Sequence, residues 1–192
     1  MRGILSLLLV GAAAVSAPLV PREPFGNAHV SWMARVQLKE GAEAQLLEAD
    51  LWADGARLRA SVRGEPSIGE FWVDGLQSQA LRVVDGKLAE PRKRTLEHAL
   101  KIALAPSPAL TAMNTDRIAG RPCKVIVEQV GGGLTLTRCI WRGLPLSVHL
   151  AGKGGFEFNA AATLVEEGAV TVADLQPPAG APAAPASMSA TR

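Results

Sequence analysis

Two stretches of alternation, set off by Asp-Gly pairs, place the strongest limit on how this chain can fold. From Val30 to Leu38 the apolar residues Val30, Trp32, Ala34, Val36 and Leu38 alternate with Ser31, Arg35 and Gln37. Ala56, Leu58, Ala60 and Val62 repeat the beat against Arg57, Arg59, Ser61 and Arg63. A period of two sends successive side chains to opposite faces of a pleated strand, so both stretches read as half-buried antiparallel strands. Asp54-Gly55, Asp74-Gly75 and Asp85-Gly86 fall between such runs, where tight hairpins need residues that accept positive φ. Strands are expected at 29–39, 43–53, 56–64, 69–74 and 78–84, joined by short turns into a meander.

The beat stops near Pro91. Leu96, Ala99, Leu100, Ala103 and Leu104 recur at helical spacing, with Glu97, His98 and Lys101 on the other face, and Pro106 and Pro108 end the pattern. Ser107-Pro108 is expected to restart a short helix through Met113. Strands resume near 117–130, 134–142, 146–151, 155–165 and 169–174. The expected class is therefore mainly β with a helical insert (α+β), in one domain.

The two ends differ from this body. Arg2 precedes an apolar run from Ile4 to Val15, and small residues follow at Ala14, Ser16 and Ala17. That is the pattern of a signal peptide over residues 1–17, too short to span a bilayer, which needs roughly 20 apolar residues. A Pro-containing lead-in covers 18–28 and the folded domain 29–175. Residues 176–192 are Pro- and Ala-rich, which is expected to leave them as a disordered tail. Periplasmic localisation follows as the working assumption.

Charge and motif content narrow the function classes. Twenty Lys and Arg stand against 18 Asp and Glu, and without Arg2 the formal charge is +1. Arg92-Lys93-Arg94 is the only basic run, so nucleic acid is not an expected partner. His29, His98 and His149 are far apart in sequence, with no Cys-x-x-Cys or His-x-x-x-His spacing, so no metal or other cofactor is expected. No Gly-x-Ser-x-Gly elbow accompanies these histidines, and none has an obvious serine partner. Gly131-Gly132-Gly133 lacks the Lys and helix of a phosphate loop and reads as a turn. Asp50, Glu70 and Asp74 read as solvated acids near strand ends, and His98 as solvent-exposed. Trp52 and Trp72 share phase with acids, which puts them on the outer face or an edge.

Cys123 and Cys139 are the only two cysteines. In an exported chain an even count suggests a disulfide, with two free thiols as the alternative. They flank the glycine turn. Pairing Val130 with Leu134 sets Cys123 opposite Trp141 and Cys139 opposite Val125, so a bulge or longer loop is expected to align them.

Several segments resemble a known family. Ala119-Gly120-Arg121-Pro122-Cys123-Lys124-Val125 resembles the Gly-x-x-Cys strand entry of LolA-like proteins. Ile140 to Val148, with Trp141 and Gly143-Leu144-Pro145-Leu146, resembles their Trp…Gly-Leu-Pro-Leu-x-Val turn. Leu51 to Arg59 is similar to their Trp-x-x-Gly hairpin, and Asp174 to Gly180 to their closing Pro-Pro-x-Gly. The family is the outer-membrane lipoprotein-sorting superfamily, which includes periplasmic lipoprotein carriers and stress-sensor relatives. The resemblance implies a curved antiparallel sheet forming an incomplete β-barrel, covered by a helical lid, with an apolar cavity for acyl chains.

If the helical stripe packs tightly onto the strands, the interior is core; if packing is incomplete, a ligand cavity remains. On the second case, Trp32, Val36, Leu38, Leu58, Val62, Leu96, Leu100 and Leu104 line the cavity, and Leu100→Asp abolishes acyl binding while leaving the sheet folded. The expected function is non-enzymatic binding of lipid or lipoprotein acyl chains by a monomer that does not span the membrane. The alternative is an interaction or sensor module of the same fold, with a filled core and an envelope protein partner.

Overall fold

A computed structural model describes residues 24–64, 69–74, 79–89, 96–105, 114–177 and 179–180. Eleven strands appear in order: β1 (Phe25–Gln37), β2 (Gln45–Gly55), β3 (Arg57–Arg63), β4 (Gly69–Asp74), β5 (Gln79–Val84), β6 (Lys87–Ala89), β7 (Asn114–Ile118), β8 (Arg121–Val130), β9 (Leu134–Trp141), β10 (Leu144–Ala151) and β11 (Glu157–Glu167). One helix among the described residues, α1 (Leu96–Leu104), lies between β6 and β7 in the chain. The strands form one antiparallel sheet in the order β6-β5-β4-β3-β2-β1-β11-β10-β9-β8-β7, open between β6 and β7. Two meanders thus meet where β1 pairs with β11, and the chain's first and last strands are central.

The sheet is strongly curved, and α1 shows why. The helix packs against both β5 and β10. Those strands are six steps apart in the sheet, about 29 Å if it were flat. A nine-residue helix is only about 14 Å long and some 10 Å wide. Both strands can touch it only if the sheet bends around it. The concave face carries the apolar phase of each strand: Trp32, Ala34 and Val36 of β1, Leu47, Ala49 and Leu51 of β2, Leu58, Ala60 and Val62 of β3, and Phe71 and Val73 of β4 are all buried. Ala99, Leu100, Ala103 and Leu104 of α1 join the same core.

Several expectations are corrected. The stretch 117–130 is broken into β7 and β8, because Ala119 and Gly120 both take positive φ, 47° and 75°. The strand expected at 169–174 is a 3-10 turn, Val172–Leu175. There the Thr171 amide and hydroxyl both donate to Asp174 (2.8 and 2.7 Å), a local closure that competes with pairing. The disulfide Cys123–Cys139 forms without a bulge in β8 or β9: Val130 pairs with Leu134 and Val125 with Cys139. The cysteines are diagonal neighbours across the two strands, with Cα atoms 5.3 Å apart, so twist brings them together where a flat ladder would not. The short helix expected from Ser107 to Met113 lies outside the described residues, as do Arg92, Lys93 and Arg94.

Trp72 has the outward phase expected of it but is 1% exposed. The 3-10 turn packs on β2 and β3, and Ala179 bridges to Lys87 of β6. The 3-10 turn thus lies on the convex face beside Trp72, whose cross-strand neighbour Arg59 is close to Asp174 of that turn. Its start is held by Asn27, whose side chain donates to the Val170 carbonyl (2.9 Å) and accepts from the Val170 amide (3.1 Å).

Candidate functional site

Two ends of α1 are tied to opposite limbs of the sheet. Arg82 of β5 has the concave phase, opposite Phe71, and donates to Glu97 in the first helical turn at 2.6 Å. Arg138 of β9 also has the concave phase, opposite Ile126 and Val148. Its guanidinium, 2% exposed, donates to the Ala105 carbonyl just past the helix and to Glu128 of β8. A cation at the carbonyl end satisfies an orphan acceptor and opposes the helix dipole. A buried Arg on a strand face has no period-two signature distinguishing it from the exposed arginines of β3, so sequence reasoning missed it.

Beneath the middle of α1 the concave space is filled. Trp32, Val36, Leu58, Val62, Leu100 and Leu104 are each at most 2% exposed, and Leu96 is half-buried against them. These seven expected cavity residues pack with one another in the core, so Leu100→Asp would place a charge inside it and act on folding as well as on binding.

Open volume lies along one flank of the helix instead. A pocket of about 910 Å³ is bounded by His98, Ala99 and Ile102 of α1, Val130, Gly131, Gly132 and Leu134 of the β8–β9 hairpin, Leu150, Lys153 and Phe156 near β10, and Leu38. Leu38, the eighth expected residue, lies just past β1 and is 49% exposed. His98 is half-buried here rather than solvent-facing. Gly131 and Gly132 add only backbone to this wall, and a Cβ at either would meet nothing within 4 Å. Among the described residues the lining is hydrocarbon apart from His98, Lys153 and backbone. Such a site can shield an alkyl chain from water and offers a cation at its rim.

A polar cluster occupies the convex face where β11, β1 and β2 adjoin. Cross-strand register sets His29 between Glu166 and Trp52, and Ser31 opposite Asp50. His29 Nδ1 lies 2.9 Å from Glu166 and Nε2 3.3 Å from Asp50, and the ring stacks on Trp52 with centroids 5.3 Å apart. Ser31 and Arg63 donate to Asp50 at 2.9 and 2.7 Å. Burial pushes the Asp50 carboxyl up, but the bonds from Ser31, Arg63 and His29 outweigh it and hold the group below the usual carboxylate range. Asp50 is thus a gathered acid, and Glu70 pairs with Arg59; neither is the freely solvated group expected. Ser31, His29 and Asp50 together do not form a nucleophilic triad. Ser31 bonds the acid, and both ring nitrogens face carboxylates, so no imidazole nitrogen is directed at the hydroxyl. Among the described residues no group of three or more His, Cys, Asp or Glu is arranged to hold a metal ion.

The convex face also exposes apolar side chains. Met33, Leu46 and Ala161 border a shallow groove of about 430 Å³ with Arg35, Ser147, His149 and Asn159. Leu46 is 68% exposed. No helix of the described residues is long and apolar enough to cross a membrane.

No protein-family model and no curated protein matches the chain. Among solved structures it is similar to MucB, at 17% identity and a TM-score of 0.46 over 83% of this chain and 60% of that one. The MucA/MucB complex of Pseudomonas aeruginosa matches at 18% identity and a TM-score of 0.39, over 77% and 57% of the two chains. A domain designated an outer membrane lipoprotein-sorting protein, from Vibrio parahaemolyticus, matches at 8% identity and a TM-score of 0.30, over 80% and 90%. The chain spans about 60% of the length of MucB.

Proposed function

We propose that this protein is a non-enzymatic periplasmic carrier or holder of an apolar ligand, a lipid or the acyl chains of a lipoprotein. The observation that carries the reading is the 910 Å³ pocket between α1 and the β8–β9 turn, lined by Leu38, Ile102, Val130, Leu134, Leu150 and Phe156. Each methylene moved from water into such a lining contributes about 0.8 kcal/mol, so a chain of ordinary length binds without any strong polar contact. In this reading α1 is the lid. Its ties to Arg82 and Arg138 hold it against both limbs, and admission of a chain requires the half-buried face at His98 and Ile102 to move relative to the hairpin. Export is supported by the leader-like residues 1–17.

The test is native mass spectrometry of the protein purified from a periplasmic extract. An added mass of lipid size is expected, and it should be lost in Leu38→Asp, which charges the pocket at a half-exposed position outside the packed core. A ligand-free wild type, or unchanged loading of a folded Leu38→Asp variant, overturns the reading.

One observation favours the second reading, an interaction module with a protein partner: the convex groove at Met33, Leu46 and Ala161 exposes contiguous hydrocarbon on the opposite face. A partner that binds wild type but not Leu46→Asp, with no lipid present, would support it.

A further inference from the structure

Among the described residues, the ionisable groups lining the pocket are His98 and Lys153, and none of the lining residues is an acid. Glu40, whose backbone amide donates to the Gly154 carbonyl, packs on the neighbouring loop outside the lining. Lys153 is exposed, and its Cε lies 4.0 Å from where a Cβ of Gly133 would stand, so the side chain extends along the glycine turn at the mouth. Two of the lining residues belong to the core, Ala99 at 2% and Leu150 at 0% exposure, so packed protein stands behind them. Hydrocarbon within, packed protein behind and an ammonium in front match a single molecular shape.

We propose that the pocket takes an amphiphile with one alkyl chain and an anionic head, tail between Ile102 and the β8–β9 hairpin, head paired with Lys153. This rests on the acyl-binding reading and adds the chemistry of the head. A carboxylate and a phosphate monoester share that chemistry. A cation at the rim of a low-dielectric pocket attracts either one, while an uncharged alcohol of equal length gains only the burial of its tail.

The experiment is calorimetric titration of the delipidated full chain, wild type and Lys153→Gln, with dodecanoate, dodecyl phosphate and dodecanol. Lys153→Gln should weaken an anionic ligand about three- to fivefold, the size of an exposed ion pair. Dodecanol affinity should be the same for both proteins. The anion effect should shrink at high salt. The two anions tell the sources apart: dependence on Lys153 with dodecanoate alone assigns a fatty-acid head, and with dodecyl phosphate alone a phospholipid-type head. If all three ligands bind and none depends on Lys153, the head assignment falls while acyl binding stands. If none binds wild type, both fall. An equal loss for dodecanol and the anions overturns the pairing as well, since it would place Lys153 in the tail site.

Discussion

Asp50 accepts hydrogen bonds from two strands, Ser31 on β1 and Arg63 on β3, with His29 completing its shell. Its folded pKa lies below the ordinary value. The charged form therefore contributes stability above the unfolded pKa of about 3.9, and that contribution is lost as pH falls through the lower folded value. Asp50→Asn should cost about 1–3 kcal/mol at neutral pH, because three donors lose their charged acceptor. Melting temperatures of variant and wild type should begin to draw together as pH falls below about 4. Curves that stay parallel from pH 7 to pH 3 would show that Asp50 carries no such linkage. The sequence placed Ser31 and Asp50 on strands, but their meeting depends on the β1–β2 register, which no local pattern specifies.

The β8–β9 hairpin is the element whose stability is most separable from the rest. Its disulfide joins residues 16 apart around a three-glycine turn. Glycines maximise the entropy of the unfolded loop, so cross-linking this loop has much disorder to remove. Replacing both cysteines by serine should lower stability by about 3 kcal/mol in urea unfolding. Reduced wild type should match the double variant, and a reduced protein as stable as the oxidised one would show that the bridge is idle. Helix α1 was legible as an element from its apolar spacing. Its tether was not: Arg82 and Arg138 sit on strands that contribute to the concave face, where an apolar residue is the expectation.

At the scale of the molecule, one sheet is covered on both sides, by α1 within and by the C-terminal segment outside. Asn27 fixes where that outer segment starts, through both polar groups of Val170. Asn27→Ala should cost about 1–3 kcal/mol for two lost hydrogen bonds. It should also expose Trp72, red-shifting its emission in the difference between matched proteins with and without Trp72→Phe. A variant with unshifted Trp72 emission would mean that the 3-10 turn docks independently of Asn27. The sequence marked residues 176–192 as a tail low in large apolar residues, yet Ala179 bridges to β6. One backbone bridge leaves almost no trace in composition.

What the residues alone established was periodic: which side chains share a strand face, where the helix falls, and that two cysteines flank a glycine turn. Those patterns arise from backbone geometry repeated over a few residues, so a local reading recovers them. The curvature of the sheet, the diagonal disulfide, the convex His29 cluster and the position of the pocket came only with the folded molecule. Each depends on register and twist accumulated over many strands, and on whether side chains distant in sequence fill a common space. The expected cavity under the centre of α1 is core because Trp32, Leu58 and Leu100 fit together there. The space that remains lies between the flank of α1 and the β8–β9 hairpin.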